Sequence, residues 1–264
     1  MAGASLARKI EGPVAVIGDV HGQVDKLLAV LEKLRQLPDY TQRWIVFIGD
    51  LVDRGQDPRG AVEIFAELLE THPRTTAIEG NHEFAMASAL GWHPSLEQMN
   101  WGQRWLEFYD AEPTFTSYGA EIGNLADLAA RIPQRHRELL SDLPWIVEHP
   151  QYLFVHAGLD PHQDYELQRP ALLQRDFTLN RPPWLCSKDL VNADPPSDCP
   201  LIVVSGHVRV PKVQIRPRRI LIDTTGGTGG NLSCVLLPEK SVISSGEIPS
   251  AGSRTAARAW WKFW

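Results

Sequence analysis

A chain of 264 residues, 43% hydrophobic and 22% charged, can bury one substantial core, so a single globular domain is the default expectation. A net charge of −6 excludes a general nucleic-acid binder, which needs lysines and arginines facing phosphates, but it leaves room for a small phosphorylated substrate at a local positive site. Cys186, Cys199 and Cys234 are odd in number and form no Cys-x-x-Cys pair, which excludes a disulfide framework or structural zinc site and fits a reducing cytoplasm. The start of the chain carries Arg8, Lys9 and Glu11 without an apolar run, so no signal peptide is expected. No stretch reaches the roughly 20 apolar residues of a membrane span, and stable membrane insertion is not expected.

Taken in order, Pro13-Val14-Ala15-Val16-Ile17 reads as a short buried strand ending in Gly18-Asp19-Val20-His21-Gly22. Val24, Leu27, Leu28, Leu31 and Leu34 then recur at helical spacing. A second strand at 44–48 runs into Gly49-Asp50-Leu51-Val52-Asp53-Arg54-Gly55, and Ala61, Val62, Ile64, Phe65, Leu68 and Leu69 mark a second helix. A third strand, Thr75-Thr76-Ala77-Ile78, ends in Glu79-Gly80-Asn81-His82-Glu83. Strand, polar turn and helix thus repeat three times, the pattern of a parallel sheet covered by helices. Residues 90–113, with Trp92, Trp101 and Trp105 among polar neighbours, read as an insertion or lid whose tryptophans pack a satellite cluster or form a substrate platform. Two short helices are expected at 124–132 and 134–143.

The second half turns to strands at 145–148, 152–155, 201–204, 219–222 and 232–237, whose close spacing predicts a more antiparallel sheet. The proline-, aspartate- and arginine-rich stretch 160–200 is expected to form long loops with one short helix near 170–177. No repeat or linker separates the halves, so the two sheets share one core, with 13–240 as the catalytic domain and 1–12 as an N-terminal extension. Residues 245–264 read as a loose tail. Its cationic, tryptophan-rich end either dips into a membrane interface or folds back over an apolar groove, and the second is favoured because one short basic segment anchors weakly.

Five polar clusters each follow a predicted strand: Asp19/His21, Asp50/Asp53/Arg54, Asn81/His82, His156 and Gly206-His207. Carboxylate, imidazole and amide oxygen suit divalent manganese, iron or zinc. Two ions roughly 3.5–4 Å apart need a bridging carboxylate near the middle of the ligand set, and Asp50 meets that requirement. Arg54, a planar guanidinium beside it, is suited to grip a phosphate. His72, His93, His136, His149 and His162 lie outside these clusters and are expected at surface or turn positions.

Together with His156-Ala157-Gly158, these clusters resemble the full motif set of the phosphoprotein phosphatase family, the metal-dependent serine/threonine phosphatases within the calcineurin-like metallophosphoesterase fold. The resemblance runs from about 13 to 237, and Asp53-Arg54-Gly55 distinguishes this family from general metallophosphoesterases. It implies an α/β (α+β) fold with two packed β-sheets in a central sandwich flanked by helices. It also implies that Asp19, His21 and Asp50 bind one metal and that Asp50, Asn81, His156 and His207 bind the other, with manganese first and iron or zinc as alternatives. A hydroxide between the metals would attack phosphorus in line, Arg54 and Asn81 would hold the phosphate, and His82, oriented by Asp53, would protonate the leaving oxygen. A second clamp arginine is carried to Arg175, in Leu172-Leu173-Gln174-Arg175-Asp176-Phe177.

Departures from the family pattern point to its bacterial branch. Gly206-His207-Val208-Arg209 lacks the usual threonine, and the eukaryotic C-terminal tyrosine has no counterpart. Thr114-Phe115-Thr116-Ser117-Tyr118-Gly119 and Val204-Ser205-Gly206-His207 look similar to the Rhizobiales-like phosphatases, whose plant members favour phosphotyrosine. Asp223-Thr224-Thr225-Gly226-Gly227-Thr228-Gly229-Gly230 either cradles phosphate through backbone N–H groups or is a flexible hairpin beside the metals. The expected substrate is a phosphorylated protein or peptide. Symmetrical diadenosine tetraphosphate hydrolysis is the alternative, and a non-catalytic regulatory protein on this frame ranks below both.

Overall fold

The three strand–turn–helix repeats lead the chain. In the computed structural model, which describes residues 6–94 and 99–246, they are β1 (Val14–Ile17), α1 (Val24–Arg35), β2 (Trp44–Phe47), α2 (Pro58–Thr71), β3 (Thr75–Ala77) and α3 (Asn81–Ala89). β1, β2 and β3 pair in parallel, Val14 against Trp44 and Ile45 against Thr75. Local chemistry starts α2: Pro58 sits in its first turn and the Asp57 side chain accepts from Gly60 N at 2.9 Å. Helices α4 (Trp101–Phe108), α5 (Glu112–Tyr118), α6 (Leu125–Arg131) and α7 (Gln134–Ser141) follow, the last two falling where a proline-separated pair was expected.

β4 (Ile146–Glu148), β5 (Tyr152–Val155), α8 (Tyr165–Gln174), α9 (Pro183–Cys186), β6 (Ile202–Ser205), β7 (Gln214–Ile215) and β8 (Arg219–Leu221) form the second half. The chain then returns to the first sheet as β9 (Ser233–Leu237) and β10 (Ser241–Ser244). The sheets run β10-β9-β1-β2-β3 and β4-β5-β6-β8-β7. This corrects the expectation of a more antiparallel second sheet: β5, β6 and β8 are parallel, and only the edge strands β4 and β7 are antiparallel. The stretch from 156 to 201 supplies the long crossover that a parallel pair requires, so it is more than a set of loops. α8 accordingly begins earlier than expected.

Alternation along the strands separates two apolar layers. Val14, Val16, Val46, Ile48 and Ile78 pack with Val147, Phe154, Val204 and Ile220 of the other sheet. Ala15, Ile17, Phe47 and Ala77 pack instead with helix residues such as Leu27, Leu31, Phe65 and Phe84. Both faces of each central strand are therefore covered, and its ends alone are free to carry polar turns. Trp101 and Trp105 belong to the helix-side core. Residues 95–98 of the 90–113 insertion lie outside the described residues, as does the tail from 247 onward.

Four of the five histidines expected at the surface are buried: His72, His93, His136 and His149, with His162 exposed. Three of the four rings are hydrogen-bonded, such as His136 Nε2 to Glu63 at 2.7 Å and His149 Nε2 to the Gly12 carbonyl at 3.0 Å. His93 has instead the Glu79 carboxylate 3.3 Å from its Nε2. All three cysteines are free and buried. Among the described residues no helix is long and apolar enough to cross a membrane.

Phe154, fully buried between the sheets, tests this core. Phe154→Ala is expected to destabilise the chain by about 3–5 kcal/mol in urea unfolding, the usual cost of emptying such a site.

Candidate metal centre

The polar turns leave the C-terminal ends of β1, β2, β3, β5 and β6 and meet at one edge of the sandwich, where open α/β sheets place ligands. Their backbone is unusual. Of the eight non-glycine residues with positive φ among the described residues, five are His21, Asp50, Asp53, Arg54 and His207. Left-handed backbone at a non-glycine residue carries strain and needs support from its surroundings. Glu83, at the start of α3, supplies it for the central turn: its carboxylate accepts from the N–H groups of Asp50 and Leu51 at 2.7 Å, Val52 at 3.0 Å and Gly80 at 3.1 Å. A side chain on Gly80 or Gly206 would collide with the carboxylate of Asp50 or Asp19 respectively, so both turns need glycine.

Asp50 stands at the middle. Its Oδ2 faces three imidazole Nε2 atoms, those of His21 and His156 at 3.3 Å and of His82 at 3.9 Å. Burial works against its ionisation, yet His156, His82 and His21 outweigh burial and hold the carboxyl well below the ordinary aspartate range. Two groups of donors share it: His21, Asp50 and His82, and Asp50, His156 and His207, the atoms of each group lying within 4.8 Å of one another.

The remaining polar atoms fit a divalent cation. Nδ1 of His21 meets the Val52 carbonyl and Nδ1 of His156 that of Ile48, both at 2.8 Å, which turns each Nε2 into the centre. Metal-binding histidines are oriented in this way. Asn81 Oδ1 lies 3.0 Å from His156 Nε2 and 2.7 Å from His207 Nδ1. Asp19 stands outside both close groups, but its Oδ2 accepts from His207 N at 2.9 Å. Its Oδ1 and His207 Nε2 are buried without a partner. Burial and the charges of Asp223 and Asp50 push the Asp19 carboxyl well above its ordinary range, a penalty that a cation relieves. Two clusters consistent with a dinuclear divalent-metal site are therefore built in.

His82 and Asp53 form a separate buried pair, with Nδ1 and Oδ2 2.8 Å apart. Trp105 Nε1 donates to Asp53 Oδ2 at 2.8 Å and Thr114 Oγ1 to Oδ1 at 2.6 Å. Burial drives both members toward their neutral forms, His82 well down and Asp53 up to about 7. Arg54, part-exposed, lies 3.3 Å from His21 Nε2, donates to the Gly226 carbonyl at 3.3 Å and sits 3.8 Å from the Asp110 carboxylate.

Nine of the ten residues singled out from the sequence thus converge on one centre around Asp50. Arg175 is placed elsewhere: its guanidinium donates to the carbonyls of Ser141 and Leu143 at 2.8 and 3.1 Å and stacks on Phe177. The sequence marks Trp105 as a packing or platform tryptophan, Thr114 only as part of a family-like stretch and Glu83 only as the end of the third motif, and gives none of them a role at the site. Glu83 had a local signal, an acid three residues after the helix-capping Gly80, whereas Trp105 and Thr114 reach Asp53 across 52 and 61 residues and leave none.

Residues 12–228 match the calcineurin-like phosphoesterase family. The chain belongs to that family. Within it, the chain is 32% identical over 167 residues to serine/threonine-protein phosphatase 1 of Salmonella typhimurium, covering 61% of this chain and 66% of that one. It is 24% identical over 181 residues to a symmetrical bis(5'-nucleosyl)-tetraphosphatase of Vibrio cholerae, covering 69% and 57%. The matched stretch is thus under two thirds of either relative's length. A crystal structure provisionally described as a diadenosine tetraphosphatase shares the fold at a TM-score of 0.59 and 23% identity, over 90% of this chain and 97% of that one.

Glu83→Gln keeps the size of the side chain but replaces an acceptor oxygen with an N–H₂ group facing backbone donors. Urea unfolding should show a loss of about 1–3 kcal/mol, the cost of buried donors left without acceptors. An unchanged midpoint would mean that the turn stands without Glu83.

Proposed function

We propose that this phosphoesterase is a metal-dependent phosphatase of the phosphoprotein phosphatase type, acting on a phosphorylated protein or peptide. The observation that carries the reading is the Asp50 carboxylate set between two groups of imidazoles, with the Arg54 guanidinium at their rim. In this proposal Asp19, His21 and Asp50 hold one metal, and Asp50, Asn81, His156 and His207 the other. Manganese is the first choice, with iron or zinc compatible with the same donors. Bound there, two divalent ions supply Lewis acidity and an ionised water near neutral pH.

The chain's own residues then act on the phosphate. Arg54 and Asn81 hold its oxygens, Arg54 with two parallel N–H donors once it leaves the Gly226 carbonyl. His82 delivers the proton. With Asp53 protonated, as burial favours, that proton lies between Asp53 Oδ2 and His82 Nδ1, and the imidazole carries its own proton on Nε2, facing the centre. Trp105 and Thr114 fix the Asp53 oxygens, and so the direction in which His82 donates. Arg175 remains the sequence-based choice for a second clamp arginine, at the cost of its bonds to the end of α7. The Thr114 segment supports placement in the bacterial, Rhizobiales-like branch. Three unpaired buried cysteines support a reducing cytoplasm.

Similarity to the Vibrio cholerae enzyme supports a second reading, hydrolysis of symmetrical dinucleoside polyphosphates. Assays of manganese-loaded chain on phosphopeptides and diadenosine tetraphosphate, side by side, should show phosphopeptide turnover. Turnover of the dinucleotide alone would replace the first reading with the second. For the proton donor, His82→Asn should retain both metals and lose roughly 10²–10⁴-fold in kcat on alkyl phosphates. The loss should be smallest on p-nitrophenyl phosphate, whose leaving group needs little protonation. Equal losses on every leaving group, or loss of metal, would remove His82 from this role.

A further inference from the structure

Two walls flank the Arg54 guanidinium: the Gly226 carbonyl 3.3 Å from Nη1 and the Asp110 carboxylate 3.8 Å from Nε. The first belongs to the glycine-rich loop between β8 and β9, which does not cradle an anion with its backbone. Thr225 N and Gly226 N donate to Asp223 Oδ1 at 3.0 and 2.8 Å, Gly227 N to Thr225 Oγ1 at 3.1 Å, and Thr228 N and Gly229 N to the Thr225 carbonyl at 3.3 and 3.1 Å. The loop spends these N–H groups on its own shape. The second wall is the turn between α4 and α5, where Asp110 presents a charge that the chemistry described so far does not use.

That turn is anchored to the site at both ends and in the middle. Trp105 Nε1 and Thr114 Oγ1 donate to the two Asp53 oxygens at 2.8 and 2.6 Å, and Thr114 Oγ1 accepts from Asp53 N at 3.1 Å. Between these anchors the Tyr109 ring stands edge-on to His82, centroids 5.0 Å apart, and the Asp110 carbonyl accepts from Arg54 N at 3.1 Å. Asp110 has φ 52°, a left-handed conformation that aspartate and asparagine tolerate best after glycine. The backbone therefore accounts for an aspartate or an asparagine at this position, but not for the charge. Stability does not account for it either: the Asp110 side chain is 78% exposed, and an ion pair so exposed and so long contributes little. What the charge does have is a fixed place. It faces the Nε edge of Arg54, so Nη1 and Nη2 remain for a phosphate, and Asp110 stands at the flank of whatever phosphoryl group they hold.

We infer that Asp110 is a specificity-determining residue whose carboxylate reads the charge beside the phosphoryl group, so that the site favours phosphopeptides with a basic residue flanking the phosphorylated one over those with an acidic residue there. The inference rests on the phosphopeptide reading, with Arg54 as the phosphate ligand. Charges at an exposed rim act weakly and are screened by salt, so the selection is several-fold rather than absolute.

The test uses manganese-loaded full-length chain and two phosphoserine peptides that differ only beside the phosphoserine, arginine in one and glutamate in the other. The arginine peptide should show a kcat/KM about fivefold higher, the exchange of one weak surface attraction for one weak repulsion, carried mainly by KM. Asp110→Asn keeps a residue that accepts left-handed backbone and removes only the charge. It should bring the ratio to within about twofold of one, with its unfolding midpoint confirming an intact fold. A ratio near one in the unaltered chain, or a ratio unchanged by Asp110→Asn, overturns the inference. If neither peptide is turned over, the phosphopeptide reading fails separately. Calorimetric titration of aminoethylphosphonate and carboxyethylphosphonate into the same manganese-loaded chain then decides the role of Asp110. The cationic phosphonate should bind more tightly by a similar factor, and Asp110→Asn should remove that preference. Equal affinities, no binding of either, or a preference that the variant keeps overturns the inference by this route as well.

Discussion

The buried carboxylate of Glu83 collects four backbone N–H groups from the two turns that frame Asp50, and the geometry of the centre follows from that gathering. Asp50, Asp53 and Arg54 sit in left-handed backbone, each at a cost of about 1–3 kcal/mol for a non-glycine residue. Such a turn persists only where its surroundings dictate it. Glu83 does this from the first turn of α3, whose register on β3 also sets Asn81 and His82. One side chain therefore fixes the positions of the Asp50 carboxylate, the Asn81 amide, the His82 imidazole and Arg54 relative to one another.

Electrostatics follow from the same arrangement. Asp19, Asp50, Asp53 and Glu83 are gathered away from solvent, where carboxylates ionise only with cationic partners. Imidazoles take that part around Asp50, whereas the hydrogen bonds from Trp105 and Thr114 only partly offset burial around Asp53. Asp19 has one hydrogen bond, from His207 N to Oδ2, and its unpartnered Oδ1 marks where positive charge is wanted. The Arg54 guanidinium meanwhile stands at the rim, donating to the Gly226 carbonyl of the 223–230 loop. Cation-seeking groups inside and anion-seeking groups outside are the arrangement that a metal-dependent reaction on phosphate requires.

Much of this was legible in the sequence because it is local. Apolar runs ending in Gly-Asp, Gly-Asn or Gly-His declare a buried strand that must stop, with ligands on the stop, and this needs only a few consecutive residues. The parallel core of the second sheet was not legible, since parallel pairing is decided by a crossover of more than forty residues that read as loop. β10, Ser241-Val242-Ile243-Ser244, is a four-residue strand with serine at both ends, too short and too polar to stand out from a turn. Buried His136 and His149 were read as surface groups because their partners, Glu63 and the Gly12 carbonyl, lie far off in sequence. The same distance hid Trp105 and Thr114. Arg175 shows the converse: a local resemblance pointed to the site, but the guanidinium bonds to the end of α7.

The most direct test of the account is metal stoichiometry at Asp50. Titration of manganese into metal-free chain, followed by elemental analysis, should find two ions per chain in the unaltered protein. It should find no more than one in a folded Asp50→Asn variant at the same free manganese. Retention of two ions by Asp50→Asn, or fewer than two in the unaltered chain, would contradict a shared carboxylate at the centre of the site.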